Sequence, residues 1–314
     1  TNDTNNIATV LAEQTERAVQ AIDIVLSEVS DRLGLEADQG PAEQAIALSR
    51  PAVTKLLKER DQRLPQTEFI TLIDASGRAV NSSSDLPISG LDFSDREYFT
   101  FARDNSVPRL FVSNLVLNRV TGSETLFFAR RISGPQGEFV GVVVAGIKPA
   151  YFREIYQALK SMQNHSFMLL RDDGTVLVRY PHVPDLVGTR MPADSQWYKV
   201  ARQGGGLYLS KGAFDGIPRL ISLRALSDAP LTITVGSPLD QALVKWRHRA
   251  TAIGLGTALV LLCSLMLLYA LHHQFAQLAE SQESLREREA RLAEKTAELE
   301  EVNCRLDTAV NNII

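Results

Sequence analysis

The stretch FITLIDASGRAV, residues 69–80, returns farther along the chain as FMLLRDDGTVLV, residues 167–178. Each copy is an apolar run that breaks at a glycine, Gly77 or Gly174, and then resumes. That is the pattern of a strand, a tight turn and a second strand. The likeness extends outward from there. SDREYFTFAR at 94–103 answers to ADSQWYKVAR at 193–202, and both read as short helices ending in Ala-Arg. RLFVSN at 109–114 answers to GLYLSK at 206–211, ETLFFARRIS at 124–133 to IPRLISLRAL at 217–226, and EFVGVVVAGI at 138–147 to PLTITVGSPL at 230–239. The order strand–strand–helix–strand–strand–strand therefore occurs twice. The fold class is α+β, with two tandem five-stranded antiparallel sheets, each expected to carry its helices on one face.

Ahead of the first copy, Ile7, Val10, Leu11, Ala18, Ile22, Val25, Leu26, Val29 and Leu33 recur at helical spacing. They predict an amphipathic helix of about 27 residues, a spine for the sheets and a candidate surface for a second subunit. Tyr151 to Met162 predicts a helix joining the two copies, and Gln241 to Arg249 a helix leading out of the second.

That exit runs into ATAIGLGTALVLLCSLMLLYA, Ala250 to Ala270, which has neither charge nor proline. A helix of about 21 residues spans roughly 30 Å of hydrocarbon. Trp246 and Tyr269 flank it as interfacial aromatics do. Lys245, Arg247 and Arg249 precede the span, so the flanking charges alone do not orient it. Beyond it, Leu278, Leu285, Leu292, Leu299 and Leu306 recur every seven residues. They predict one seam of a parallel two-helix coiled coil. The other seam (Phe275, Gln282, Glu289, Thr296, Asn303, Val310) is mostly polar, which predicts a weak pairing able to change register.

Composition narrows the function classes. The net charge is −4 and the basic residues form no stripe, which excludes a nucleic-acid surface. An apolar share of 45% supports a packed core. The two cysteines, Cys263 and Cys304, both lie after the repeats, so the repeats hold no disulfide framework. The chain starts at Thr1 without a signal-peptide pattern, and a trimmed start is expected. His165, His182, His248, His272 and His273 have no metal-ligand spacing, and no phosphate loop, dinucleotide fingerprint or Ser/His/Asp set is present. Asp172-Asp173-Gly174 reads as a hairpin turn rather than a calcium loop. No metal, cofactor or catalytic residue is expected.

A long leading helix, two tandem PAS-like sheets, the DREYF helix start at 95–99 and an exit helix into a membrane span together resemble the double Cache (PDC) sensor heads. These are extracytoplasmic domains of bacterial chemoreceptors, sensor kinases and diguanylate cyclases. The resemblance covers roughly residues 5–250. It implies a helical spine at 1–66, a membrane-distal PAS-like subdomain at 67–148 and a connecting helix at 149–164. A membrane-proximal subdomain at 165–240, an exit helix at 241–249, a transmembrane helix at 250–271 and a cytoplasmic coiled-coil linker at 272–314 follow. It also implies residues 1–249 in the periplasm, a bacterial inner membrane, a membrane helix before Thr1, and a cyclase or histidine kinase output after Ile314. The tail CRLDTAVNNI, 304–313, is similar to the lead-in of a further PAS domain.

Within SDREYF, Ser94 and Glu97 are spaced as a capping box, with Phe93 and Tyr98 as its hydrophobic staple. Arg96 is left without a role, since a cation in the first helical turn opposes the dipole. A helix amino end plus an arginine suits a carboxylate. The second copy has Ser195 at this position, so the first copy is the better candidate pocket. By the resemblance, the pocket helix and facing strands point to Arg96, Tyr98, Phe111, Ser113, Phe128 and Arg130, with Arg131 replacing Arg130 if the register is shifted by one. Amino-acid binders of the family hold the amine with an aspartate near the end of the last strand; here that place reads Ala145-Gly146. A small organic acid is therefore the expected ligand. The expected function is ligand sensing and transmembrane signalling by a homodimer, paired through spine and coiled coil. The alternative is a ligand-free dimerisation or adhesion module.

Overall fold

A computed structural model describes residues 2–35, 41–88, 90–107, 109–158 and 165–311. Residues 1–242 form one compact unit and residues 243–314 another. The first unit opens with α1 (Asn2–Leu35), α2 (Pro41–Leu48) and α3 (Pro51–Asp61). The first sheet follows as β1 (Thr67–Asp74), β2 (Ala79–Ser82), α4 (Glu97–Asp104), β3 (Phe111–Leu117), β4 (Glu124–Ser133) and β5 (Phe139–Ile147). After α5 (Pro149–Ala158), the order repeats as β6 (Ser166–Arg171), β7 (Val176–Tyr180), α6 (Gln196–Arg202), β8 (Gly205–Ser210), β9 (Arg219–Ala225) and β10 (Leu231–Pro238). The expected extension of α5 to Met162 lies outside the described residues.

Both sheets are antiparallel, and their orders match: β2-β1-β5-β4-β3 and β7-β6-β10-β9-β8. The two opening hairpins are alike in detail. Each turns on a glycine of positive φ, Gly77 at 92° and Gly174 at 87°, a region closed to residues bearing a Cβ. Each also slips register one step before the turn, between Leu72 and Ile73 and between Leu169 and Leu170.

Helices cover both faces of each sheet, not one face as the sequence suggested. The physical reason lies in strands such as β5, FVGVVVAGI, which is buried at every position after the first. A strand apolar on both sides needs cover on both. On one face α1 runs under both sheets. Its Leu11, Ile22 and Leu26 are fully buried in one cluster with Ile70, Phe128 and Val143 of the first sheet and Leu169 and Ile233 of the second. Each such side chain stabilises the fold by roughly 2 kcal/mol relative to an exposed one. On the other face α4 covers the first sheet with Tyr98, Phe99 and Ala102 over Phe69, Phe127 and Val144. There α6 covers the second sheet with Trp197 over Leu170 and Leu223.

Helices α2 and α3 were not read from the sequence. Both begin on a proline, a residue that favours the first helical position because its missing N–H has no partner there anyway. The buried Asn81 of β2 fastens them: its amide donates to the Leu48 carbonyl at 2.9 Å and its Oδ1 accepts from Thr54 at 2.9 Å.

The second unit belongs to α7 (Leu239–Asn311), an unbroken helix of 73 residues. Within Trp246–Thr296 it holds an 18-residue window with a mean hydropathy of 2.2, and the helix is long and apolar enough to cross a membrane. Leu255, Leu259, Leu262 and Leu265 of this segment are all exposed.

Candidate functional site

The amino end of α4 is built differently from the capping box. Asp92 Oδ1 accepts the backbone N–H of Ser94 at 2.8 Å, forming a turn that delays the helix. The helix then begins at Glu97, with Arg96 as its cap residue in extended conformation and no side-chain cap. The Arg96 carbonyl accepts from Phe99 and Thr100, each at 3.0 Å. Arg96 thus stands just outside the first turn, and the dipole conflict expected of it does not arise. In the second sheet Ser195 does cap its helix, accepting from the Trp197 N–H at 3.2 Å.

The Arg96 guanidinium crosses to the end of β3, where it donates to the Leu117 carbonyl at 3.1 Å. Its Nε is buried without an acceptor. Tyr98 is buried beside it, with its ring 5.2 Å from that of Phe127. Burial pushes the Tyr98 hydroxyl up, and the nearby charges of Arg96 and Arg119 only partly oppose that. Arg119, in the loop after β3, was not foreseen. It donates to the Asp92 carbonyl and, at 2.5 Å, to Asp95, and lies over the Phe93 ring. The hydrogen bond from Arg119 holds the Asp95 carboxyl below its usual range. Arg96, Tyr98 and Arg119 therefore meet at one corner of the α4 face. Nothing but its charge marks Arg119 in the sequence.

The other expected residues are dispersed. Phe111 is half-buried and packs against Phe101 with tilted rings 4.6 Å apart, beside a cleft of about 400 Å³ between the two sheets. The Ser113 hydroxyl is occupied at the β3 irregularity, donating to the Asn114 carbonyl at 2.6 Å and accepting from the Phe127 N–H at 2.9 Å. Phe128 and Arg130 fall on the opposite face, under α1. Phe128 is fully buried in the spine cluster, and Arg130 forms a two-pronged pair with Asp23 at 2.6 and 2.8 Å. The one-residue alternative is what the register delivers, since Phe127 and Arg131 share the α4 face. Arg131 is nonetheless committed to structure. It donates to the Ala102, Arg103 and Gly137 carbonyls at 2.9, 3.1 and 3.0 Å, tying the carboxyl end of α4 to the sheet.

At the end of β5, a Cβ on Gly146 would come 2.3 Å from the Phe69 ring, so that place holds an aromatic face and no side chain. Ala145 points into the spine cluster. No cluster of His, Cys, Asp or Glu among the described residues could hold a metal.

A family profile for the Cache domain, dCache_1, matches residues 1–246. The chain belongs to the Cache domain family. Among solved structures, this Cache head is similar to the extracellular domain of rpHK1S-Z16, a protein assigned as a histidine kinase. Identity is 28%, the TM-score is 0.65, and the match covers 78% of this chain and 97% of that one. The fold is also that of the ligand-binding domain of the Pseudomonas aeruginosa amino-acid chemoreceptor PctB in complex with L-Arg. That match has 18% identity and a TM-score of 0.57, and covers 80% and 92% of the two chains. The periplasmic sensory domain of the Campylobacter jejuni chemoreceptor Tlp1 matches at 12% identity and a TM-score of 0.59, over 76% and 94%. No curated protein sequence matches the chain. The Cache head is an extracytoplasmic sensor domain, and such heads bind ligands rather than catalyse reactions.

Proposed function

We propose that this chain is the sensing and signal-transmitting part of a bacterial inner-membrane receptor, and that its first sheet binds a small organic acid at the corner formed by Arg96, Tyr98 and Arg119. The observation that carries this reading is the buried, unpartnered Nε of Arg96 beside a tyrosine hydroxyl. A guanidinium edge presents two parallel donors, and a carboxylate supplies the matching acceptors. Gly146 and Ala145 argue against an amino acid. The chemoreceptor domains with which this head shares its fold were solved with amino acids such as L-Arg and GABA, yet this chain offers no carboxylate at that end of β5 for an amine. Phe128, Arg130 and Ser113 drop out of the proposed site for the reasons of face and pairing given above.

Signalling follows from differential binding. An acid that favours one arrangement of α4 shifts the head toward that arrangement, and the shift passes through α7 to an output module beyond the chain, a cyclase or a kinase. The seam of Leu278, Leu285 and Leu292 supplies the pairing surface of a homodimer on the cytoplasmic side.

Melting curves of the 314-residue chain in detergent, recorded with a panel of small mono- and dicarboxylates, test the site. At least one acid is expected to raise the melting temperature. Arg96→Ala is expected to weaken that acid at least tenfold, since a hydrogen-bonded charge contact contributes about 1.5–3 kcal/mol. A panel without effect, or hits indifferent to Arg96→Ala, would favour the ligand-free dimerisation reading.

A further inference from the structure

At one pair of matching positions the second sheet carries a buried charge where the first carries two hydroxyls. In the first sheet, Thr71 of β1 faces Ser82 of β2 and Val144 of β5 on the α4 side. The matching positions of the second sheet are Met168, Arg179 and Thr234, on the α6 side. The buried Thr71–Ser82 hydroxyl pair, 3.1 Å apart, is thus replaced by an arginine beside a thioether. Farther along the same face of β9 stands a second arginine, Arg219.

These groups are poorly satisfied. The Arg179 side chain is 8% exposed, and its contacts are a 3.3 Å bond to Asp215 and a 4.0 Å approach to the Met168 sulfur. Asp215 is meanwhile held by Arg219 through both oxygens, at 2.6 and 2.7 Å. The Nε atoms of Arg179 and Arg219 and the hydroxyl of Thr234, itself 1% exposed, are all buried without a partner. Burying an arginine is costly unless its donors find acceptors. Two guanidinium groups share one carboxylate here, so what is missing is an acceptor. Burial also lowers the Arg179 guanidinium from its usual range.

Asp215 belongs to no strand. It sits in the 211–218 loop between β8 and β9. A cavity of about 510 Å³ lies beside that loop, with Tyr208, Ser210 and Lys211 in its wall. Ser210 is the register partner of Arg219, so the cavity adjoins the arginine pair across a single strand.

We propose that this face of the second sheet is a second ligand site, for a small monocarboxylate, and that Asp215 is a tethered stand-in for it. The incoming carboxylate takes the place of the Asp215 carboxylate between Arg179 and Arg219, and the loop retreats toward the cavity. One carboxylate replaces another, so the charge balance is kept. Asp215 then acts as a built-in competitor that sets the affinity of the site.

Titration calorimetry on the full chain in detergent micelles tests this, in an Arg96→Ala background that disables the first site. Acetate, propionate, pyruvate and lactate are the probes. At least one is expected to bind R96A saturably, to bind R96A/D215N at least fivefold more tightly, and to lose binding in R96A/R179M. A gain of affinity on removing a charge partner is not what a purely structural ion network gives. If none of the four acids binds R96A/D215N, or if D215N weakens binding, the proposal is overturned. Should the first site instead prove empty, wild type and R96A would bind alike, which leaves this proposal standing.

Discussion

Arg130 and Arg131 are adjacent, yet they serve opposite faces of the first sheet. Arg130 reaches down to Asp23 of the spine, and the hydrogen bonds it donates to that carboxylate raise its guanidinium above the usual range. Arg131 reaches up to the end of α4. The sequence shows the alternation but not which face meets which helix, because strand period fixes relative orientation only. Phe128 and Arg130 therefore fall under α1, while Phe127 and Arg131 share the side of the sheet that α4 covers. Asp23→Ala is expected to cost about 2–3 kcal/mol in denaturant unfolding of the head, since it strands a largely buried cation; Asp23→Asn should recover part of the loss. Gly146→Ala forces a Cβ against Phe69 and is expected to cost about 1–3 kcal/mol in the same assay.

Between elements, the join between the two sheets bears most directly on the proposed acid site. Arg171, the last residue of β6, donates to Glu97 at the start of α4 at 2.9 Å and to Asp173 at 2.7 Å. These bonds, Asp173 first, raise the Arg171 guanidinium above its usual range. The helix carrying the proposed acid site is therefore pinned to the second sheet by one residue. Arg171→Met is expected to lower the melting temperature of the head and weaken acid binding severalfold, because α4 loses its anchor; calorimetry on that variant checks both. Element order and strand limits were largely legible, because the repeat supplies two readings of one pattern. The start of α4 was not: S-x-x-E spacing satisfied a capping box, but Asp92 takes the Ser94 N–H first. The Glu97–Arg171 contact joins residues far apart in the chain, and nothing local announces it.

At the scale of the whole molecule, acid should loosen the head. The hydrogen bond from Arg219 holds the Asp215 carboxyl at about 2. Burial raises the Asp173 carboxyl, but the bonds from Arg171 and Thr175 outweigh it and leave the group below its usual range. Both folded-state values are depressed, so the stability these groups contribute is complete above the unfolded carboxylate range of about 3.9. It is lost as pH falls through the folded values. The melting temperature of the head should hold between about pH 7 and 5 and fall below about pH 4, and Asp215→Asn should flatten that fall. The candidate membrane span is plain in the sequence because an uncharged apolar run of that length has few other uses, whereas the direction proposed for it rests on the family likeness. In the proposed function, acid binding in the head changes helix pairing beyond the candidate span. The direct test is disulfide crosslinking in native membranes of Leu285→Cys, with Cys263 and Cys304 replaced by serine. A dimer band is expected whose rate of formation changes at least twofold with the acid identified by melting, with no such change in the Arg96→Ala chain. A dimer that forms at the same rate with and without acid, or no dimer at all, would contradict it.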